Sequence, residues 1–298
     1  MSFSADVKKE LCRQSISHRC CALAEVYGIL LYCNTFTPKE IRIITESDAL
    51  KARLVQLFRR AFKMEFDFLP TGESGKASFV IRDEEKLSQI FDAFGYDASS
   101  AVALHVNFGV LEEEHCRIAF FRGAFLAGGS VTDPEKNYHL ELVTSHLHVS
   151  RETPALMRES DIQPKATMRA GNHVLYFKQS ENIEDFLTTI GAPVSAMEIM
   201  NTKVEKNIRG SVNRRVNCDA ANLDKAVAAA QEQIEAIQLL VERGCFEELP
   251  EKLKEAATLR MEHPELTLAQ LAELCDPPVT KSCYNHRLRK IGELAHKG

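Results

Sequence analysis

The stretch 115-HCRIAFFRGAFLAGGS-130 decides the fold, because an earlier one, 20-CCALAEVYGILLYCN-34, is built the same way. Both read as apolar helices interrupted by one glycine, Gly123 and Gly28. Glycine inside a helix costs about 1 kcal/mol relative to alanine, so something must offset that cost in both places. Close helix–helix approach does. Small residues such as Gly28, Gly123, Ala124 and Ala127 let two backbones nearly touch. The two helices then pack on each other and relate two halves of the chain by a pseudo-two-fold axis.

The elements after each helix also repeat in order. In the first copy come a strand at 40–45, an amphipathic helix at 48–62, strands near 64–69 and 77–82, and a helix at 83–94 that stops at Gly95. The second copy has a strand at 138–144, a helix around 149–160, strands at 165–170 and 173–178 about a turn at Gly171 and Asn172, and a helix at 181–190 that stops at Gly191. Each half thus presents a small antiparallel sheet, and two sheets side by side form a saddle. The fold class expected is α+β: a duplicated saddle over 1–200, with halves of about 1–110 and 111–200, followed by an all-α domain.

The carboxyl end supplies that second domain. Residues 201–221 read as a basic linker, and 222–298 as a helical domain. Its first helix, 222–243, is Ala-rich, which favours helix intrinsically. It carries an apolar stripe of Leu223, Val227, Ala230, Ile234, Ile237 and Val241, expected to be core packing, and Gly244 ends it. A helix at 250–263 comes next. Then comes 264-PELTLAQLAELCDPPVTKSCYNHRLRKIGELA-295, which reads as a helix-turn-helix over about 267–295. Asp276, Pro277 and Pro278 stop its first helix, and Thr280 can cap the second. In that second helix Tyr284, Leu288 and Ile291 recur at i, i+4 and i+7 and face inward. The opposite face carries Lys281, Ser282, Asn285, His286 and Arg289, flanked by Arg287 and Lys290, with no acid before Glu293. Such a helix suits the major groove. Asn pairs bidentately with adenine and Arg with guanine, while Lys, Ser and Thr hold phosphates. Thr280, Lys281, Ser282, Asn285, His286, Arg287, Arg289 and Lys290 are therefore the candidate DNA contacts. The run 203-KVEKNIRGSVNRR-215 adds Lys203, Lys206, Arg209, Arg214 and Arg215 as auxiliary phosphate contacts.

Composition narrows the function classes. With 298 residues, 45% apolar and 27% charged, the chain is an ordinary globular one. A net charge of -5 excludes a wholesale electrostatic nucleic-acid binder, so DNA contact must come from local patches. The nine cysteines form no CxxC, and the amino-terminal MSFSADVKKELCR has no apolar signal region. Reduced cytosolic thiols are expected, with no disulfide framework. Cys20–Cys21 near His18 invite a metal reading, but adjacent cysteines need two further ligands, and the sequence points to none. No metal or other cofactor is expected. No apolar run reaches the roughly 18 residues of a membrane span.

The two glycine-bearing helices resemble the LAGLIDADG motif of homing endonucleases. Phe121-Arg122-Gly123-Ala124-Phe125-Leu126-Ala127-Gly128-Gly129 matches the nine-residue pattern best, and 26–34 matches more weakly. In active members the eighth position is an acid, and the paired acids hold the divalent metal that cleaves DNA. Here those positions are Gly128 and Cys33, neither a hard oxygen ligand. Asp133 lies just beyond the second helix without a counterpart after Cys33. A nuclease fold without nuclease chemistry is expected, and a divergent metal-dependent endonuclease is the alternative.

A LAGLIDADG-like double module followed by a helix-turn-helix is similar to the WhiA family of bacterial regulators. The most specific matches are MSFSADVKKELCR, FFRGAFLAGGSVTDP (120–134), NRRVNCDAANLDKAVAAAQEQIEAI (213–237) and DPPVTKSCYNHRLRKI (276–291). The resemblance implies a cytoplasmic, nucleoid-associated, DNA-binding transcriptional regulator of cell division and chromosome segregation, and of sporulation in hosts that sporulate. It implies double-stranded DNA as partner, together with another transcription factor or division protein, and no membrane.

Overall fold

The computed structural model describes residues 2–68, 75–97 and 103–296. The chain forms two compact units, Met1–Lys206 and Asn207–Gly298.

In the first unit, α1 (Phe3–Cys12) begins at Ser2, whose hydroxyl accepts the Ala5 N–H. Next along the chain are α2 (Arg19–Tyr32), β1 (Thr35–Thr37), β2 (Glu40–Thr45), α3 (Asp48–Phe62), β3 (Ala77–Ile81) and α4 (Glu84–Ala93). Ser47 and Asp83 cap α3 and α4 by accepting the N–H groups of Leu50 and Lys86. The second half repeats the order with α5 (Glu114–Gly128), β4 (Gly129–Val131), β5 (Leu140–Thr144), α6 (Leu147–Arg158), β6 (Lys165–Arg169), β7 (Asn172–Phe177) and α7 (Ser180–Ile190). Gly95 and Gly191 terminate matching helices with φ of 74° and 101°, a region that favours glycine.

All strand pairs are antiparallel. One sheet has the order β1-β2-β3, with Ile43 opposite Phe79. The other has the order β4-β5-β7-β6, with Leu142 opposite Leu175. Among the described residues the repeated elements differ at the strand before β3. A strand is expected near 64–69, but among the described residues only Phe68 bridges to Val80, while Leu69 lies outside them. Asp67 explains the loss. Its carboxylate accepts the N–H groups of Arg82 and Asp83 at 2.6 and 2.8 Å, and so takes the Arg82 donor that a longer ladder would use. Phe66 turns into the core against Phe58 and Phe79.

The helices α2 and α5 form the middle of this unit. Every residue of α2 from Ala24 to Tyr32 is buried, on all sides of the helix. A Cβ placed on Gly28 would lie 2.1 Å from the Phe120 carbonyl oxygen, and one on Gly123 would lie 2.0 Å from that of Glu25. The near-contact of backbones expected from the two glycines is therefore present, reciprocally. Beside it Glu25 is buried in a bidentate pair with Arg53, at 2.5 and 2.7 Å. Arg53 also donates to the carbonyls of Cys12 and Gln14, and Arg122 reaches both Glu25 and the Ile190 carbonyl. One buried carboxylate thus ties α1, α3, α5 and the end of α7 to α2.

The segment 201–221, expected as a linker, is helical. It belongs to α8 (Pro193–Glu242), a single helix of 50 residues. The boundary between units falls inside it, and no Pro interrupts it after its first residue. Then come α9 (Glu251–Glu262), α10 (Leu268–Glu273) and α11 (Lys281–His296). The second unit packs Ile237, Leu240, Leu253, Ala256, Leu271, Tyr284, Leu288 and Ile291 into one core. The apolar stripe of 223–241 joins it only in part. Ala230 and Ile237 are buried, but Leu223, Val227 and Val241 are exposed. For Leu223 and Val227 the physical reason is coverage, because the second unit's core takes up α8 only from Ala236 onward; Val241 lies within the covered part and follows the buried Leu240 on an exposed side of the helix.

Candidate nucleic-acid interface

The helix-turn-helix is built by local rules. Thr267 opens α10 with a capping box: its hydroxyl accepts the Gln270 N–H, and Gln270 Oε1 accepts the Thr267 N–H. Leu271, Ala272 and Cys275 are buried. After the Pro-Pro turn, the Val279 N–H returns to the Ala272 carbonyl at 2.9 Å. Thr280 caps α11, accepting the Cys283 N–H on its hydroxyl at 3.2 Å. The buried Tyr284 hydroxyl donates to the Ala256 carbonyl at 2.8 Å and pins α11 to α9.

This leaves a one-sided polar ridge. Thr280, Lys281, Ser282, Asn285, His286, Arg289 and Lys290 are all exposed. Arg289 pairs with Glu293 one turn on, at 3.2 Å. An exposed i,i+4 pair is worth only about 0.3–0.5 kcal/mol, so a phosphate or base edge can displace it. Arg287 departs from the expected set. Its guanidinium is 11% exposed and donates to Glu255 Oε2 at 2.9 Å. The other oxygen of Glu255 accepts the Asp276 N–H at 2.7 Å. Arg287 is therefore a clamp between α11, α9 and the turn, held by i+3 geometry from the buried Tyr284. Sequence reading missed Glu255, which lies 21 residues before the turn it holds. An acid preceding a basic helix gives no local signal of that contact.

The auxiliary basic run also divides. Lys203 pairs with Glu181 and reaches Glu184 at 3.9 Å, and its ammonium holds the Glu181 carboxyl down to about 2. Lys206 donates to the Pro134 carbonyl and lies 5.1 Å from the Tyr138 ring centroid. Both are committed within the first unit. Arg209, Arg214 and Arg215 are exposed along α8.

The positions that hold acids in LAGLIDADG nucleases are filled differently. Cys33 has its thiol against the carbonyls of Leu30 and Thr35, and burial pushes it up to about 12. A Cβ on Gly128 would lie 2.4 Å from the Val143 carbonyl oxygen and 3.1 Å from Tyr32 Cβ, so no acid fits there without moving β5. Asp133 is exposed, and its carboxylate accepts the Glu135 N–H at 2.9 Å, which closes a turn. The cavity beside Cys33 has as its ionisable lining Lys8, Lys76 and Glu46, the reverse of a hard-cation site.

The cysteine expectation needs correcting. Cys20 and Cys21 do meet two further ligands, His115 and Cys116, which the fold brings from 94 residues away. The signal was present in the repeat itself: Cys20 precedes Gly28 by the same interval as His115 precedes Gly123.

Comparison with known proteins agrees with this architecture. The family model described as "WhiA C-terminal HTH domain" matches residues 212–295, and the "WhiA LAGLIDADG-like domain" matches residues 117–209. The "Probable cell division protein WhiA" of Ruminiclostridium cellulolyticum is 36% identical over all of this chain and 98% of its own length. That of Alkaliphilus oremlandii is 37% identical over 100% and 98%. The crystal structure of full-length DUF199/WhiA from Thermatoga maritima shares the fold with a TM-score of 0.61 at 24% identity, covering 100% of this chain and 99% of that one. With curated relatives above 30% identity along their whole length and both domains matched, the chain belongs to the WhiA family.

Proposed function

We propose that this protein is a DNA-binding transcriptional regulator of cell division and chromosome segregation, and of sporulation where the host sporulates. The observation that carries the reading is the ridge on α11: Lys281, Ser282, Asn285, His286, Arg289 and Lys290 all face solvent while Tyr284, Leu288 and Ile291 fix the opposite face. Asn285 and Arg289, one turn apart, are the base readers. Lys281, Ser282, His286 and Lys290, with Thr280 at the cap, hold phosphates. Arg209, Arg214 and Arg215 extend the phosphate contact, whereas Lys203, Lys206 and Arg287 serve packing. The domains are a duplicated saddle to about residue 200, a helical basic connection, and a helix-turn-helix domain from about 222. The names of the relatives support the cell-division assignment. Cytoplasmic, nucleoid-associated residence follows from the DNA partner, and among the described residues no helix is long and apolar enough to cross a membrane. Another transcription factor or a division protein is the expected protein partner.

The test is selection of bound duplexes from fragmented host DNA, followed by gel shifts on the selected site across salt concentrations. Asn285→Ala and Arg289→Ala should relax discrimination by about 1–3 kcal/mol at one base pair each. Lys281→Ala and Lys290→Ala should weaken all sequences alike and lower the salt slope by about one apiece. Equal binding by all four variants refutes groove reading by α11. The endonuclease alternative is opposed by the packing at Gly128. Metal-dependent nicking of supercoiled DNA that Asp133→Ala abolishes is the result that would restore it.

A further inference from the structure

We infer that Cys20, Cys21, His115 and Cys116 form a zinc site that clamps the two halves of the saddle. Their ligand atoms all lie within 4.8 Å of one another. The Cys21 and Cys116 sulfurs each stand 3.3 Å from His115 Nδ1. A tetrahedral zinc with Zn–S of about 2.3 Å and Zn–N of about 2.0–2.1 Å sets ligand–ligand edges of roughly 3.5–3.8 Å. Shifts of an ångström or less complete that polyhedron. Three sulfurs and one imidazole are the donor set of a closed structural site, with no position left for water.

Symmetry and charge support the assignment. Cys20 and Cys21 occupy the second and third residues of α2, and His115 and Cys116 occupy the same positions of α5. The pseudo-two-fold axis that pairs Gly28 with Gly123 thus pairs these ligands too. Two helix amino-termini converge on one point, each carrying partial positive charge. Three thiolates around a dication carry a net single negative charge, which that field favours. A disulfide would use two of the sulfurs and leave the imidazole among them without a part. The site lies at the opposite end of the helix pair from Cys33 and Gly128, so it is separate from the degenerate nuclease positions. On binding, each cysteine gives up its S–H proton, and three protons leave per zinc.

The test uses the full chain purified under anaerobic, reducing conditions without chelator. Metal analysis should give one zinc per chain. Replacement by cobalt(II) should give a thiolate charge-transfer band and the intense visible bands of a tetrahedral ion. At free zinc about a hundredfold above Kd, the melting midpoint of the first unit should rise roughly 5–10 °C over the chelated protein. Cys20 is exposed, so Cys20→Ser leaves the apo fold intact; it should weaken binding more than the roughly 10–100-fold typical of outer-shell partners. Replacing exposed Cys218, Cys245 and Cys283 together should leave zinc in place. Absence of zinc before and after reconstitution overturns the proposal. So do unchanged binding in Cys20→Ser, a disulfide among these cysteines in the anaerobic protein, or iron with labile sulfide in place of zinc.

Discussion

Replacing Gly28 with alanine should destabilise the first unit, against the sign that helix propensity alone predicts. Alanine in mid-helix is favoured over glycine by about 1 kcal/mol. The added methyl, however, would stand 2.1 Å from the Phe120 carbonyl oxygen and 2.8 Å from the Ala124 nitrogen, about 1.3 Å short of an ordinary 3.4 Å contact at the first. Both obstacles are backbone, so no rotamer change relieves them. The helices α2 and α5 must move apart by about an ångström. A gap of 0.5–1 Å forfeits roughly a quarter to a half of each dispersion contact across it. The contacts at risk include the ring packing of Tyr27 on Phe120 and the buried faces of Ala24, Leu31 and Ala124. Overpacking ordinarily costs about 1–3 kcal/mol, and backbone obstruction places this case at or above the upper end. The net loss after the propensity gain is about 2–4 kcal/mol. Gly123→Ala, facing the Glu25 carbonyl at 2.0 Å, should behave alike. Both substitutions open the same gap, so the double variant should fall about 1–3 kcal/mol short of the sum of the two singles. Urea unfolding followed by near-ultraviolet tyrosine signal reads this, because Tyr27, Tyr32 and Tyr96 are buried in the first unit. A Gly28→Ala protein equal to or more stable than the parent refutes the close-approach argument.

Three further outcomes rest on particular contacts. Glu25→Gln should cost about 3–5 kcal/mol in chemical denaturation, since Arg53 and Arg122 lose the carboxylate they share; a loss under about 1 kcal/mol would show that the network is dispensable. Burial pushes the Lys8 ammonium from 10.5 down to about 8. The unfolded chain therefore holds the extra proton between those values, and stability should rise with pH across that window by at most about 3 kcal/mol, with the whole penalty present below about pH 8. The raised Cys12 and Tyr27 groups act in the opposite sense at the alkaline end. The difference between parent and Lys8→Met isolates the lysine, and a flat difference from about pH 7 to 10.5 contradicts its burial cost. Glu255→Ala should unlock Arg287 and the Asp276 turn together, costing about 1–3 kcal/mol by calorimetry and weakening DNA binding without changing the preferred base sequence.

Much of this fold was legible because its determinants are local or repeated. The glycines at 28 and 123 announced a backbone contact, the stops at Gly95 and Gly191 announced matching helices, and Thr280 is a cap by residue type. Long-range partners were not legible in the same way. Arg287 looked like any basic residue on α11 until the fold set Glu255 beside it. Lys203 and Lys206 looked like a phosphate-binding run until Glu181 and Pro134 claimed them. Among the described residues, the strand expected near 64–69 shrinks to the bridge at Phe68 because the Asp67 side chain competes for a backbone donor that pattern reading assigns to a neighbouring strand. The exposure of Leu223 and Val227 depends on where the covering helices end, which apolar periodicity cannot report.

The geometry at Gly128 bears on what the end of the LAGLIDADG-like helix pair does here in place of paired acids. A position that could accept a carboxylate would have a pocket sized for it. Here the space is gone: the Val143 carbonyl and Tyr32 Cβ stand where a side chain would begin. Tyr32 is itself buried and donates to Thr153 at 3.0 Å, so α6 is tied to the end of α2 through that position. The Thr144 hydroxyl reaches the Leu31 carbonyl at 2.8 Å and links β5 to the same helix end. The ends of α2 and α5 are thus built as a joint between the two halves. Gly128→Asp should therefore unfold or loosen the unit before it restores any cleavage. The same packing holds the two halves of the first unit together as one rigid body.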